Sequence, residues 1–395
     1  MPASLPPGPR PAPGAGERAA ARVLAFQGAV AVVAFGASLV VDHPLVRVHL
    51  VLAAGVMPLI LAAMLYFIPV LTRGAAAPPG AAALPLLGLA AGIMVALAFQ
   101  QGAGAPALFV AAAAAALLAA LTLALWALWR ADAAVGAPHP CLNWYLAALG
   151  CLGLALAATL LIHHWPGQYL SIKRLHLHLN TLGFVGMTAT GTLQVLMPTA
   201  AGHADDAAAR RLRGGLSLAL GGTLFVAAGS AWFAPLAWVG AALWAVPVAL
   251  TAIAWQARYR GQVLGWHGAP PLLAAALLGF ALNLVFGIAH GAGAVSWRHA
   301  LGLFFYAFLF PLVTGALTQL LPVWLRPGPR AAWQEQARAR LGRFNGAAAL
   351  VFLIAGVAGI VEPAAGALGA AVGLVWFAVK VVALAVAPPP QPGRV

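Results

Sequence analysis

Acidic side chains are nearly missing from this chain. Its 395 residues include only seven: Glu17, Asp42, Asp132, Asp205, Asp206, Glu335 and Glu362. None lies centrally in an apolar run, so the sequence offers no membrane-buried carboxylate of the kind that proton-coupled machinery relies on. Cysteine is equally scarce. Cys141 and Cys151 form neither a CxxC pair nor a disulfide framework, and they indicate no redox compartment. Charged residues of both signs make up 7% of the chain and nonpolar types 63%, with a mean hydropathy of +0.94, which excludes a soluble globular domain. What remains is a polytopic, all-α membrane protein whose first partner is the lipid bilayer. The net charge of +14 does not point to nucleic acid, because the basic residues sit in short loops between apolar runs rather than in one stripe.

A hydrocarbon core about 30 Å thick needs about 20 apolar residues in a helix. Twelve stretches qualify, at 22–41, 48–71, 81–100, 105–129, 142–162, 175–197, 214–232, 235–256, 271–290, 297–325, 341–361 and 365–385. They define one transmembrane domain over 22–385. Residues 1–21, rich in Pro and Gly, are expected to form a disordered cytoplasmic tail, and 386–395 a second tail. With the N-terminus inside, sixteen basic residues fall in inner segments and four (Arg47, Lys173, Arg174, Arg298) in outer loops. That asymmetry predicts cytoplasmic N- and C-termini. Lys380 alone lies within a span, where its long stem is expected to snorkel to the cytoplasmic interface.

Three stretches share a pattern: "HLVLAAGVMPLILAAMLYFIPVLTR" from His49, "HLHLNTLGFVGMTATGTLQVLMPTAAG" from His176 and "HALGLFFYAFLFPLVTGALTQLLPVWL" from His299. They fall in spans 2, 6 and 10. Aligned on Pro69, Pro198 and Pro322, each has small residues fifteen and seven positions earlier: Ala54 and Ala62, Gly183 and Gly191, Ala307 and Gly315. A period containing an even number of spans predicts three four-helix units in one orientation around a pseudo-threefold axis.

Histidine gives the pattern its chemistry. His49 and His178 stand twenty residues before the proline and His299 twenty-three before it, so at helical spacing the three face the same way within their repeats. His176, two residues from His178, points about 200° away, which suits two separate sites better than one chelate. All four lie at outer helix ends, with His43, His163, His164 and His290 nearby, whereas His139, His203 and His267 read as solvated inner-loop residues. Neutral imidazole ligates both haem iron and copper, and costly ionisable groups at membrane depth are functional candidates. Taken singly, His43, His163, His164 and His290 read as interfacial residues.

The architecture resembles subunit I of the haem-copper oxidases. The order His176, His178, Gly183, Gly191, Pro198 is similar to the repeat of the NnrS family, haem- and copper-containing membrane proteins associated with nitric oxide metabolism in denitrifying bacteria. The resemblance implies a multi-pass protein of the bacterial inner membrane that binds b-type haem, with copper as a second metal and respiratory or denitrification proteins as partners. It implies His49 and His299 as an axial haem pair and His176 and His178 as ligands for copper or a second iron, with His163, His164 and His290 as further metal candidates. Departures argue against a complete oxidase site. Span 10 has Trp297 and Leu301 where a second ligand would stand, span 6 has no tyrosine, span 7 has no histidine, and Leu179 and Asn180 replace the Glu after the NnrS motif. Whether the chain is an enzyme stays open. Two other readings stand beside this one: a small-solute transporter using Thr188, Thr190, Thr192, Gln194, Asn283, Thr314, Thr318 and Gln319, and a non-catalytic scaffold or assembly subunit.

Overall fold

The computed structural model describes residues 14–102, 106–328 and 330–386, and all of the regular structure in them is helical. The long helices are α1 (Ala15–Ser38), α2 (Pro44–Leu71), α3 (Pro79–Gln101), α4 (Pro106–Asp132), α5 (Cys141–Leu161), α6 (169–201), α7 (Ala208–Trp232), α8 (Ala234–Val263), α9 (Pro270–Gly291) and α10 (Trp297–Leu325). A shorter α11 (Ala331–Leu341) leads into α12 (Asn345–Val361), and α13 (Pro363–Val386) closes the chain.

Ten of these helices are long and apolar enough to cross a membrane, or eleven if the bent pair α11 and α12 is counted as one span. The sequence count of twelve exceeds this for two physical reasons. Helix α6 runs without a break but carries Asn180, Thr181, Thr188, Thr190, Thr192 and Gln194, which dilute its hydropathy. The expected span 341–361 is interrupted at 342–344, because the chain bends by 44° between α11, which ends at Leu341, and α12, which starts at Asn345. The bend is built on Phe344, which adopts left-handed backbone angles with φ of 56°. At the other end of the chain, α1 starts at Ala15, so the expected tail over 1–21 is helical in its last seven residues. "AGERAAAR" contains strong helix formers with Glu17 near the positive end of the helix dipole, which extends the helix beyond the apolar run. Residues 1–13 and 387–395, parts of the two expected tails, lie outside the described residues.

Two central helices are recognisable by burial. The apolar windows of α2 and α10 are 67% and 72% buried, against 28–44% in the other eight candidate spans. Helix α6 is the third, with every residue from Thr181 to Gly191 buried. Helix α1 packs on α2 and α10, α5 on α6 and α2, and α9 on α10 and α6. Contacts of α4 with α5, α8 with α9 and α13 with α1 close the outer ring.

The central helices share a rarer feature. Each contains a π-helical stretch: Leu50–Val56 in α2, Leu179–Gly186 in α6 and Phe304–Leu309 in α10. Measured back from Pro69, Pro198 and Pro322 they start 19, 19 and 18 residues earlier. π-helix is uncommon and often marks a functional segment. Two of these stretches press a backbone carbonyl onto a glycine of a neighbouring helix. A Cβ at Gly92 of α3 would lie 2.2 Å from the Ala53 carbonyl oxygen, and one at Gly279 of α9 would lie 1.9 Å from that of Ala307. Only glycine admits such an approach.

The two ends of the bundle differ in chemistry. One end, the arginine end, ties loops together: Arg130 donates to Ala75 O, Arg258 to Ala204 O and Tyr259 to His203 O. Here Asp205, with its side chain 2% exposed, pairs with Arg211 and, at 3.9 Å, with Arg258. Burial pushes its carboxyl pKa up, but the hydrogen bond and charge of Arg211, the Ala207 N–H and Arg258 outweigh this and hold it below the usual value. His139 and His267 accept backbone N–H bonds from Cys141 and Phe344, and His203 bonds Ala201 O, so all three brace loops rather than stand free. Lys380 leans toward this end as expected of a snorkelling lysine, yet its ammonium does not finish in water. It donates to Leu341 O at 2.7 Å and Asn345 Oδ1 at 2.5 Å, capping the end of α11 at the bend. The opposite end is the histidine end.

Candidate metal centre at the histidine end

His49 closes the first turn of α2. Pro44 opens that helix and the His43 ring accepts the Val46 N–H at 3.3 Å, so His43 is a cap rather than a free ligand. The His49 Nδ1 lies 2.7 Å from Leu45 O, and its ring rests on Phe99 of α3 with centroids 4.5 Å apart. A carbonyl oxygen can only accept, so Nδ1 carries the proton and Nε2 keeps its lone pair.

The same arrangement recurs. His176 Nδ1 lies 3.0 Å from Ala155 O on α5. His178 Nδ1 lies 2.8 Å from Arg174 O and 3.0 Å from Ser230 Oγ on α7, whose own hydroxyl donates to Ala227 O. His290, in the last turn of α9, has Nδ1 2.8 Å from Val295 O. All four rings are half-buried, and the carbonyls favour the tautomer with its lone pair on Nε2, although in His176 that nitrogen also lies 3.4 Å from Asn180 Nδ2. This is the outer-shell hydrogen bond that metal-ligating histidines almost always make, so the donor set fits haem iron or copper. His299 differs: its backbone N–H is capped by Ser296 Oγ at 3.4 Å, and its half-buried ring makes no hydrogen bond among the described residues.

The structure brings some of the expected residues together and keeps others apart. His176 faces α5 while His178 faces α7, on opposite sides of α6. His49 is within electrostatic range of His176, and His178 within range of His290. No hydrogen bond or ring contact joins His49 to His299 among the described residues. His164 is exposed in the short turn before α6, and the side chain of His163 lies outside the described residues. No group of three or more His, Cys, Asp or Glu side chains placed to hold one metal ion occurs among the described residues, so the imidazoles present themselves singly or in twos.

Two residues shape the site in ways that the sequence reading did not assign. Asn180 Nδ2 donates to His176 O at 2.8 Å, one turn back, and fixes the backbone where the π-helical stretch begins. The i, i+4 spacing from His176 was the available signal. Ser230 had none, since it reaches His178 from 52 residues away. Comparison with protein-family models and with curated proteins finds no match for this chain.

Proposed function

We propose that this chain is a haem-binding protein of the bacterial cytoplasmic membrane, of the haem-copper oxidase and NnrS type, with both termini in the cytoplasm. It crosses the membrane twelve times, counting α6 and α12, in three four-helix repeats. Its arginine end faces inward, in keeping with the excess of basic residues there. The matching register of the three π-helical stretches and the cyclic packing of α1, α5 and α9 support the repeats.

One observation carries the metal reading. Four imidazoles at one end, His49, His176, His178 and His290, each have Nδ1 anchored to a backbone carbonyl, and in His49, His178 and His290 Nε2 is left as a donor. His49 and His299, from the first and third repeats, are the residues that would hold b-type haem. His176 and His178, with His163, His164 and His290 around them, are the proposed ligands for copper or a second iron. When bound, haem supplies electron transfer and binding of diatomic ligands such as nitric oxide, while the protein sets ligation and access. Phe99 orients the His49 ring, and the carbonyls of Leu45, Ala155 and Arg174 hold the tautomers. The reading links the protein to nitric oxide or respiratory metal-centre metabolism, with redox proteins as partners.

Oxidised and reduced visible spectra of the detergent-purified protein, with metal analysis of the same sample, test this. A Soret band that shifts on reduction and weakens in His49→Ala or His299→Ala is expected. Protein expressed with ample haem and copper that carries neither would refute it. The transporter reading is weaker, because Thr188, Thr314 and Thr318 direct their hydroxyls to carbonyls of their own helices rather than toward a path. A scaffold role predicts that replacing all repeat histidines leaves partner binding intact.

A further inference from the structure

Gln27 lies about midway along α1, and nothing in the protein bonds it. Its side chain is fully buried, at 0% exposure, and neither Nε2 nor Oε1 has a hydrogen-bond partner. An amide left bare in a membrane interior is costly, and buried polar groups almost always have a protein or water partner. The polar side chains of α10 do not supply one: Thr314 donates to Phe310 O and Thr318 to Thr314 O.

The helix face below Gln27 shows where a partner comes from. Gly16, Ala20, Val23 and Gln27 follow each other at spacings of four, three and four, and so form one stripe of α1. The first three line a narrow cleft of about 10 Å³, room for about one water, together with Ala62 and Leu65 of α2 and the segment Ala77 to Ala82. That segment belongs to the arginine end. The cleft therefore starts at that end and follows the α1–α2 seam to Val23, one helical turn short of Gln27.

We propose that water enters from the arginine end along this seam and binds the Gln27 amide, forming a hydrated inlet halfway into the bundle. Gln27 is both donor and acceptor, as the terminal station of such an inlet must be. Small residues at Ala20 and Ala62 leave width that larger side chains would fill. The site is independent of the histidine end, which it neither touches nor requires.

Silver ion, which travels only where water does, reports the inlet through thiols. In a Cys141→Ser, Cys151→Ser background, Val23→Cys, Gln27→Cys and Leu24→Cys are placed in sealed vesicles of each orientation. After exposure to silver, the protein is denatured and labelled with a maleimide. Leu24 is fully buried but lies off the stripe. Silver applied at the arginine end should abolish labelling of Val23→Cys and Gln27→Cys and spare Leu24→Cys. Gln27→Cys labelled as fully as Leu24→Cys overturns the proposal. Gln27→Leu gives a second readout that needs no thiol. With water on the amide its Tm stays level or falls, whereas a rise in Tm means that the amide was dry and the inlet does not exist.

Discussion

His176 and His178, two residues apart on α6, turn their imidazoles to opposite neighbours. Nδ1 of His176 lies 3.0 Å from the Ala155 carbonyl of α5, and Nδ1 of His178 lies 3.0 Å from the Ser230 hydroxyl of α7. One short stretch of helix thereby serves two inter-helix grooves.

The first prediction concerns the independence of these grooves. Substitutions that share no partner add to within about 0.5 kcal/mol. His176→Ala and His178→Ala should therefore each remove their own share of bound metal, and the double variant should lose the sum. Metal analysis and spectra of the four proteins give the cycle; loss of all metal in either single variant would show one shared site.

Two glycines carry the packing around the π-helical stretches. Gly279→Ala and Gly92→Ala put a methyl 1.9 and 2.2 Å from a carbonyl oxygen, and each should cost about 1–3 kcal/mol, the usual penalty for overpacking. Gly287→Ala, on the same helix as Gly279, meets open space and should be neutral or stabilising by up to about 1 kcal/mol through helix propensity. Thermal melts in detergent rank the three.

At the arginine end, Asp205 couples the α6–α7 loop to Arg211 and Arg258. Asp205→Asn should destabilise the protein by about 1–3 kcal/mol at neutral pH, the range for hydrogen bonds to charged groups. Because the folded carboxyl is held below its ordinary value of 3.8, its stabilisation is fully present above that value and is lost as pH falls through the depressed one. The gap in Tm between wild type and Asp205→Asn should thus be widest near pH 7 and close in acid. A gap that grows on acidification contradicts this assignment.

Lys380 is structural at the bend of α11 and α12. Lys380→Met keeps the stem and removes the donor, leaving Leu341 O and Asn345 Oδ1 bare, at a cost of about 1–3 kcal/mol. Asn345 also donates to Gly268 O at 2.9 Å. Proteolysis should therefore find the 342–344 segment sooner in Lys380→Met, and an unchanged digestion pattern would place the ammonium in solvent instead.

Much of the architecture could be read from the one-dimensional pattern. Apolar runs such as 48–71 and 365–385 coincide closely with α2 and α13, because a helix that crosses the hydrocarbon core must be apolar over most of its length. The grouping of His49, His176, His178 and His299 at one end follows from the alternation of span direction alone. Helical spacing could not give the angular register of those rings against the lower halves of their helices. It assumes 3.6 residues per turn throughout, and each extra residue taken up by a π-helical turn displaces the register by about 100°.

The sequence by itself determined that the protein is helical and membrane-embedded, and that most of its imidazoles and most of its arginines collect at opposite ends, since hydropathy and loop charge are sums over local residues. Tertiary structure decided which way His176 and His178 face, where Lys380 ends, that the chain bends at Phe344, and that Gln27 is left without a protein partner. Each of these depends on what a neighbouring helix presents at close range, and that neighbour is tens to hundreds of residues away in the chain.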